Sequence, residues 1–158
     1  MANMQAKMDL LQGLDDAESG RVLALGKSKT IESGGVLFRL GDNADSLYLI
    51  ARGCLRLTLP MQVRDRSENV LVEEEGVGRT VGWSALTPPY RFTLTATAPL
   101  DTEVVEFERE ELNAYFAAHP ETGCAVAFNL ASVIGQRLQI FQAMWLREVQ
   151  RMVEQHYA

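Results

Sequence analysis

Histidine is nearly absent from this chain: His119 and His156 are the two in 158 residues. A metal-dependent enzyme built on a β-roll needs two or three imidazoles on its strands. Both histidines fall in the helical C-terminal part, so no metal site is expected. Cysteine is equally scarce. Cys54 and Cys124 lie far apart without CxxC spacing, which excludes a zinc knot and leaves the expectation of two buried thiols in a reducing compartment. Positive charge is in deficit. Fifteen Lys and Arg against 21 Asp and Glu give a net charge of -6 and a pI near 5.0, which argues against binding to nucleic-acid backbones. The N-terminus Met1-Ala-Asn-Met-Gln-Ala-Lys7 has no apolar segment of signal-peptide length. No run approaches the ~20 apolar residues of a membrane span, so a cytoplasmic protein with no membrane partner is expected. No Ser or Cys has a base nearby, and Asp15-Asp16 suits capping better than acid-base work. The expectation is therefore a non-enzyme without a cofactor.

What is present falls into three parts within one domain, 1–158: N-terminal helices over 1–27, a strand-rich middle over 28–108, and C-terminal helices over 109–158. Met4, Met8 and Leu11 share one side of a short amphipathic helix. Asp15 with Glu18 three residues later predicts a capping box and a helix through Leu25, ending at Gly26, with Val22, Leu23 and Leu25 inward. From Thr30-Ile31 the texture is β: Val36 to Phe38, Leu47 to Ile50, Leu55 to Leu59, Val70 to Val72 and Val104 to Phe107 are short runs. Turn chemistry separates them at Ser33 to Gly35, Gly41 to Asn43, Arg52-Gly53 and Gly76 to Gly78. Six to eight strands in about 80 residues predict an antiparallel β-roll of jelly-roll type rather than parallel units, whose crossovers are longer. The fold class is α+β. Glu73 to Glu75 reads as a solvated strand end.

After Phe107, Glu108 to Glu111 leads a helix through Leu112, Tyr115 and Phe116, and Pro120 opens another at its favoured first position. No proline intervenes as far as Gln155. Leu130, Ile134, Leu138, Phe141, Trp145, Val149 and Met152 recur in steps of four, four, three, four, four and three, a coiled-coil-like seam. Gly123 and Gly135 are the places where it could bend. Either a second chain covers that seam, making a homodimer, or the helix folds back on its own barrel.

The most chemical stretch is Gly78 to Ala98. Gly82 permits an unusual backbone angle, Ser84 can cap a turn through Ala85 and Leu86, and Pro88-Pro89 stops that turn. Phe92, Leu94 and Ala96 alternate with Thr93, Thr95 and Thr97, as in a half-buried strand. The free amides of Trp83 to Leu86, with Arg91, could cradle an anion.

Helices, a short-stranded roll with a capped turn, then a long helix: this order resembles the cyclic nucleotide-binding domain of catabolite activator proteins, protein-kinase regulatory subunits and gated channels. Phe38-Arg-Leu-Gly41-Asp42 resembles the family's first glycine turn, and Leu47-Tyr-Leu-Ile50-Ala-Arg-Gly53 its next strand and turn. Gly82 resembles the glycine that opens the phosphate-binding cassette, and Thr95 to Ala98 with Val104 and Phe107 the strands after it. The resemblance implies a ligand site at Gly82, Trp83, Ser84, Ala85, Arg91, Phe92 and Thr93. Two positions depart from the pattern. Trp83 stands where the family has a ribose-binding Glu, and an indole accepts no such bond. Phe92 stands where the family has its phosphate-binding Arg, with Arg91 one residue early; a bulge would have to bring it inward.

Two readings follow. One is a stand-alone sensor that binds a cyclic nucleotide or another small anion and signals through its C-terminal helix to a separate effector protein. The other is a degenerate domain that has lost nucleotide binding and serves as a dimerisation or protein-interaction module, with Trp83 and Phe92 as core.

Overall fold

The computed structural model describes residues 8–158. The expected helix from Met4 begins outside them; within them Asp9–Leu11 forms one 3₁₀ turn that buries Leu10 and Leu11. Eight strands follow the first helix: β1 (Lys27–Ile31), β2 (Val36–Phe38), β3 (Ser46–Arg52), β4 (Leu55–Val63), β5 (Arg66–Glu75), β6 (Thr80–Val81), β7 (Thr95–Thr97) and β8 (Thr102–Glu108). They make two antiparallel four-stranded sheets, ordered β1-β8-β3-β6 and β2-β7-β4-β5. All six strands expected from composition lie within these spans.

Burial follows side-chain period. Leu55 and Leu57 of β4 point into the roll, while Arg56 points out and pairs with Glu74 at 3.0 Å. In β3 the continuous run Leu47-Tyr-Leu-Ile50 is buried on both faces, as an unbroken apolar run predicts. The core closes around Phe107, Val104, Val81 and Ala96. The β4–β5 hairpin is longer than expected, because Gln62 to Asn69 is polar and carries no strand signal. Its outer part exposes Met61, Val63, Val70 and Leu71.

Among the described residues three α-helices pack around the roll: α1 (Asp16–Leu23), α2 (Arg109–Ala118) and α3 (Pro120–Tyr157). Asp15 caps α1 by accepting the Glu18 amide at 2.7 Å. The expected reciprocal half of the capping box is not made. The Glu18 carboxylate instead accepts from the Tyr115 hydroxyl at 2.7 Å, the Thr122 hydroxyl at 2.6 Å and Arg21 Nε at 2.8 Å. The Tyr115 and Thr122 bonds tie α1 to both later helices, and all three together hold Glu18 at about 2, well below an ordinary glutamate, with the Thr122 bond contributing most. Helix α1 also ends at Leu23, two residues short of expectation.

Helix α3 runs 38 residues without a break at Gly123 or Gly135, about 57 Å at 1.5 Å per residue. Thr122, Val126, Leu130, Val133 and Arg137 are its buried residues. The sequence seam therefore needs correction at its base. Leu130 is 6% exposed and Ile134 packs against the core, because the roll covers both, so the free apolar stripe starts at Leu138. Beyond it Phe141, Trp145 and Met152 are exposed. By length and composition alone α3 is also long and apolar enough to cross a membrane. The expectation for Cys124 is corrected too: it lies on the outer side of α3 and is exposed, whereas Cys54 is half-buried.

Candidate functional site

The turn after β6 has the expected form. Gly82 adopts φ +78°, and a Cβ there would come within 3.2 Å of the Phe92 ring and 3.3 Å of Tyr48. Only glycine fits both the angle and the space. Trp83–Leu86 then makes a single 3₁₀ turn with Ser84 and Ala85 buried. Arg109, at the start of α2, fastens this turn to its surroundings. Its Nη1 donates to the Ala44 carbonyl at 2.8 Å and the Ala85 carbonyl at 3.3 Å, and its guanidinium lies 4.2 Å from the centre of the Tyr90 ring. Nothing local in sequence marks Arg109 for this role, since its partners lie 24 and 65 residues away.

The register past Pro88-Pro89 decides which residues face the interior. Arg91 bridges to Asn43, and its Nη1 donates to the Gly41 carbonyl at 2.9 Å on the exposed side. Phe92 points inward, 6% exposed, between the exposed residues Arg91 and Thr93. The alternation is unbroken here, so no bulge turns Arg91 into the roll. Phe92 stacks on Phe38 with ring centres 3.8 Å apart and planes 9° apart, and Tyr48 extends the stack at 5.9 Å. Among the residues expected at the site, Gly82, Trp83, Ser84, Phe92 and Thr93 line one cavity together with Phe38, Leu57, Leu94 and Arg137. Ala85 and Arg91 do not line it. The cavity holds about 10 Å³, room for a single water.

Arg137 is the unexpected member of that wall. It comes from α3, is 7% exposed, and donates Nε to Glu73 at 2.9 Å and Nη2 to Glu75 at 3.4 Å and the Thr80 carbonyl at 3.3 Å. Arg79 donates to the other oxygen of Glu75 at 2.9 Å, and Asp9 receives the Thr80 hydroxyl at 2.6 Å and amide at 3.1 Å. The Glu73 to Glu75 run is thus not a solvated strand end, as its composition suggested. Glu73 and Glu75 turn inward and clasp α3, while only Glu74 faces water. Burial, with Glu75 alongside, pushes Glu73 up to about 7 against the pull of Arg137. Glu75 is also pushed up by burial, but bonds from Glu73 and Arg79 outweigh this and hold it below the ordinary range.

The model of the cyclic nucleotide-binding domain matches residues 28–119, β1 through the end of α2. The chain belongs to the cyclic nucleotide-binding domain family. Among curated relatives, Lysophospholipase nte1 of Neurospora crassa is 32% identical over 111 residues, 70% of this chain and 7% of the relative. Glutaminase 1 of Bradyrhizobium diazoefficiens is 28% identical over 142 residues, 87% of this chain and 21% of that protein. The chain therefore spans a small part of the curated relatives it matches. Among solved structures, the catabolite activator protein of Thermus thermophilus superposes with a TM-score of 0.74 at 26% identity, covering 90% of this chain and 63% of that one. Within this cyclic nucleotide-binding domain, Trp83 and Phe92 occupy the places that the sequence resemblance assigned to the family's Glu and Arg.

Proposed function

We propose that this chain is a regulatory module of the cyclic nucleotide-binding fold that does not bind cyclic nucleotides, and that acts through self-association of its C-terminal helix. One observation carries this reading: the Phe38–Phe92 stack occupies the roll interior and leaves about 10 Å³. Ligand pockets run to several hundred Å³. Arg91, the cation nearest the family's position, is engaged outside by Gly41. The two places where the family would recognise ribose and phosphate carry an indole and a phenyl ring, neither of which accepts a ribose hydroxyl or pairs with a phosphate.

The output surface in this reading is the free part of α3, where Leu138, Phe141, Trp145 and Met152 are 56%, 40%, 68% and 61% exposed. A stripe of this size on one helix face belongs to an interface, and we assign it to a second copy, with a separate effector reading the pair. Arg137, bonded to the roll by two carboxylates, supports α3 as a helix of a cytoplasmic module rather than a membrane span. Catalysis, where a longer protein carries such a module, would belong to its other domains.

Titration with cyclic AMP and cyclic GMP, followed by calorimetry and by Trp83 and Trp145 fluorescence, tests the reading. No heat and no spectral change up to about millimolar ligand, the −4 kcal/mol level, is the expected result. Saturable binding that weakens in Arg91→Ala would overturn it and establish a nucleotide sensor.

A further inference from the structure

Phe128 is 72% exposed near the base of α3, where the helix is otherwise engaged with its own roll. Beside the same stretch of helix lies a groove of about 380 Å³, lined by Leu86, Thr87, Phe116, Ala127, Ala131 and Ile134 among others. A groove of that size has room for a phenyl ring. Its own chain cannot supply Phe128. At about 100° per residue, Ala127, Ile134, Leu138, Phe141 and Trp145 share one side of α3. Val126, Val133 and Arg137, which face the roll, lie roughly a quarter turn to one flank, and Phe128 lies roughly a quarter turn to the other.

We infer that two copies pair in parallel through α3 and that Phe128 of each inserts into the groove of the other. This rests on the self-association proposed above. In a parallel two-fold pair, each residue lies level with its own copy, and the left flank of one helix meets the right flank of its mate. Phe128 then stands at the height of Ala127 and Ala131 and on the side of the groove that holds Leu86 and Phe116. An antiparallel pair would place it against the distal part of the other helix, where Phe141, Met144, Trp145 and Leu146 line an open groove, and away from Leu86 and Phe116, which wall the groove at the base. The small side chains of Ala127 and Ala131 let the helices approach at that level.

Charge sets no barrier to a second copy of this chain as the occupant. No Asp, Glu, Lys or Arg stands at Ala127, Ala131, Ile134, Leu138, Phe141, Trp145, Val149 or Met152, so self-contact along the seam sets no like charges together. Area agrees. From the exposures of Leu138, Phe141, Trp145 and Met152, with Phe128 added, two copies would cover on the order of 1,000 Å², where specific interfaces begin.

Sedimentation of the wild type and of Phe128→Ala tests the inference, because a solvent-exposed ring can be removed without disturbing the fold. The variant is expected to keep its far-UV circular dichroism while its dimer Kd rises at least tenfold. In a Cys124→Ser background, Thr87→Cys together with Phe128→Cys is expected to give an interchain disulfide that neither single variant gives. An unchanged Kd in Phe128→Ala, or no cross-link from the double variant, overturns the docking while leaving self-association standing. A wild-type chain that stays monomeric at every accessible concentration overturns both.

Discussion

Phe92 holds the interior of the roll with one ring, stacked on Phe38 and pressed against the open face of Gly82. Truncating a buried phenylalanine typically costs 3–5 kcal/mol through lost burial and the cavity left behind. Phe92→Ala is expected to lose about that much in urea denaturation, whereas Arg91→Ala, on the exposed side, is expected to stay within about 0.5 kcal/mol of wild type. The opposite ranking would mean that Arg91 and not Phe92 faces inward. Sequence reasoning could see this pair coming, since Phe92, Leu94 and Ala96 alternate with threonines and period alone puts Phe92 inside. It could not see Arg137. An arginine between Gln136 and Leu138 in a long helix reads as a solvated residue, and its burial depends on two glutamates more than 60 residues away. Those glutamates were opaque for the same reason: a run of three acids has no local sign that alternate members will meet a cation.

At the level of elements, the roll was legible because its strands are set by local period and turn chemistry, and the placing of α3 was not because it depends on non-local pairs. The clasp of Glu73 and Glu75 on Arg137 makes that placing sensitive to pH. Glu73 has a folded value of about 7 against 4.5 for an ordinary glutamate, so the native state binds its proton more tightly than the unfolded chain. Its contribution to stability is complete below about pH 4.5 and is lost as pH rises through about 7. The thermal midpoint is expected to fall between about pH 5 and pH 8, and Glu73→Gln, which keeps a hydrogen-bonding side chain, is expected to flatten that slope. An equal slope in the variant would assign the titration elsewhere. Glu18 works in the opposite sense. Held at about 2 by Thr122, Tyr115 and Arg21, it supports the packing of α1 on α2 and α3 at neutral pH and loses that support as pH falls from about 4.5 toward 2.

For the whole molecule, the spacing along α3 fixes more than which side is apolar. Leu130, Phe141 and Met152 stand eleven residues apart, as do Ile134 and Trp145, and Leu138 and Val149. Three positions in eleven residues is a period of about 3.67, slightly longer than the helix's own 3.6, where a seven-residue repeat would be shorter at 3.5. In the proposed pair, two such helices would therefore pack almost straight, with a slight right-handed coil in place of the left-handed rope of a leucine zipper. In a Cys124→Ser background, Val149→Cys is expected to cross-link two chains and Glu148→Cys to fail, whereas a seven-residue seam starting at Leu138 would reverse the two. In a left-handed rope the distal tips of the helices would be wound around the common axis relative to the two rolls at the base. In the pair proposed here, nearly straight rods would leave each tip on the same side as its own roll, so the position of a roll would set the position of its helix tip.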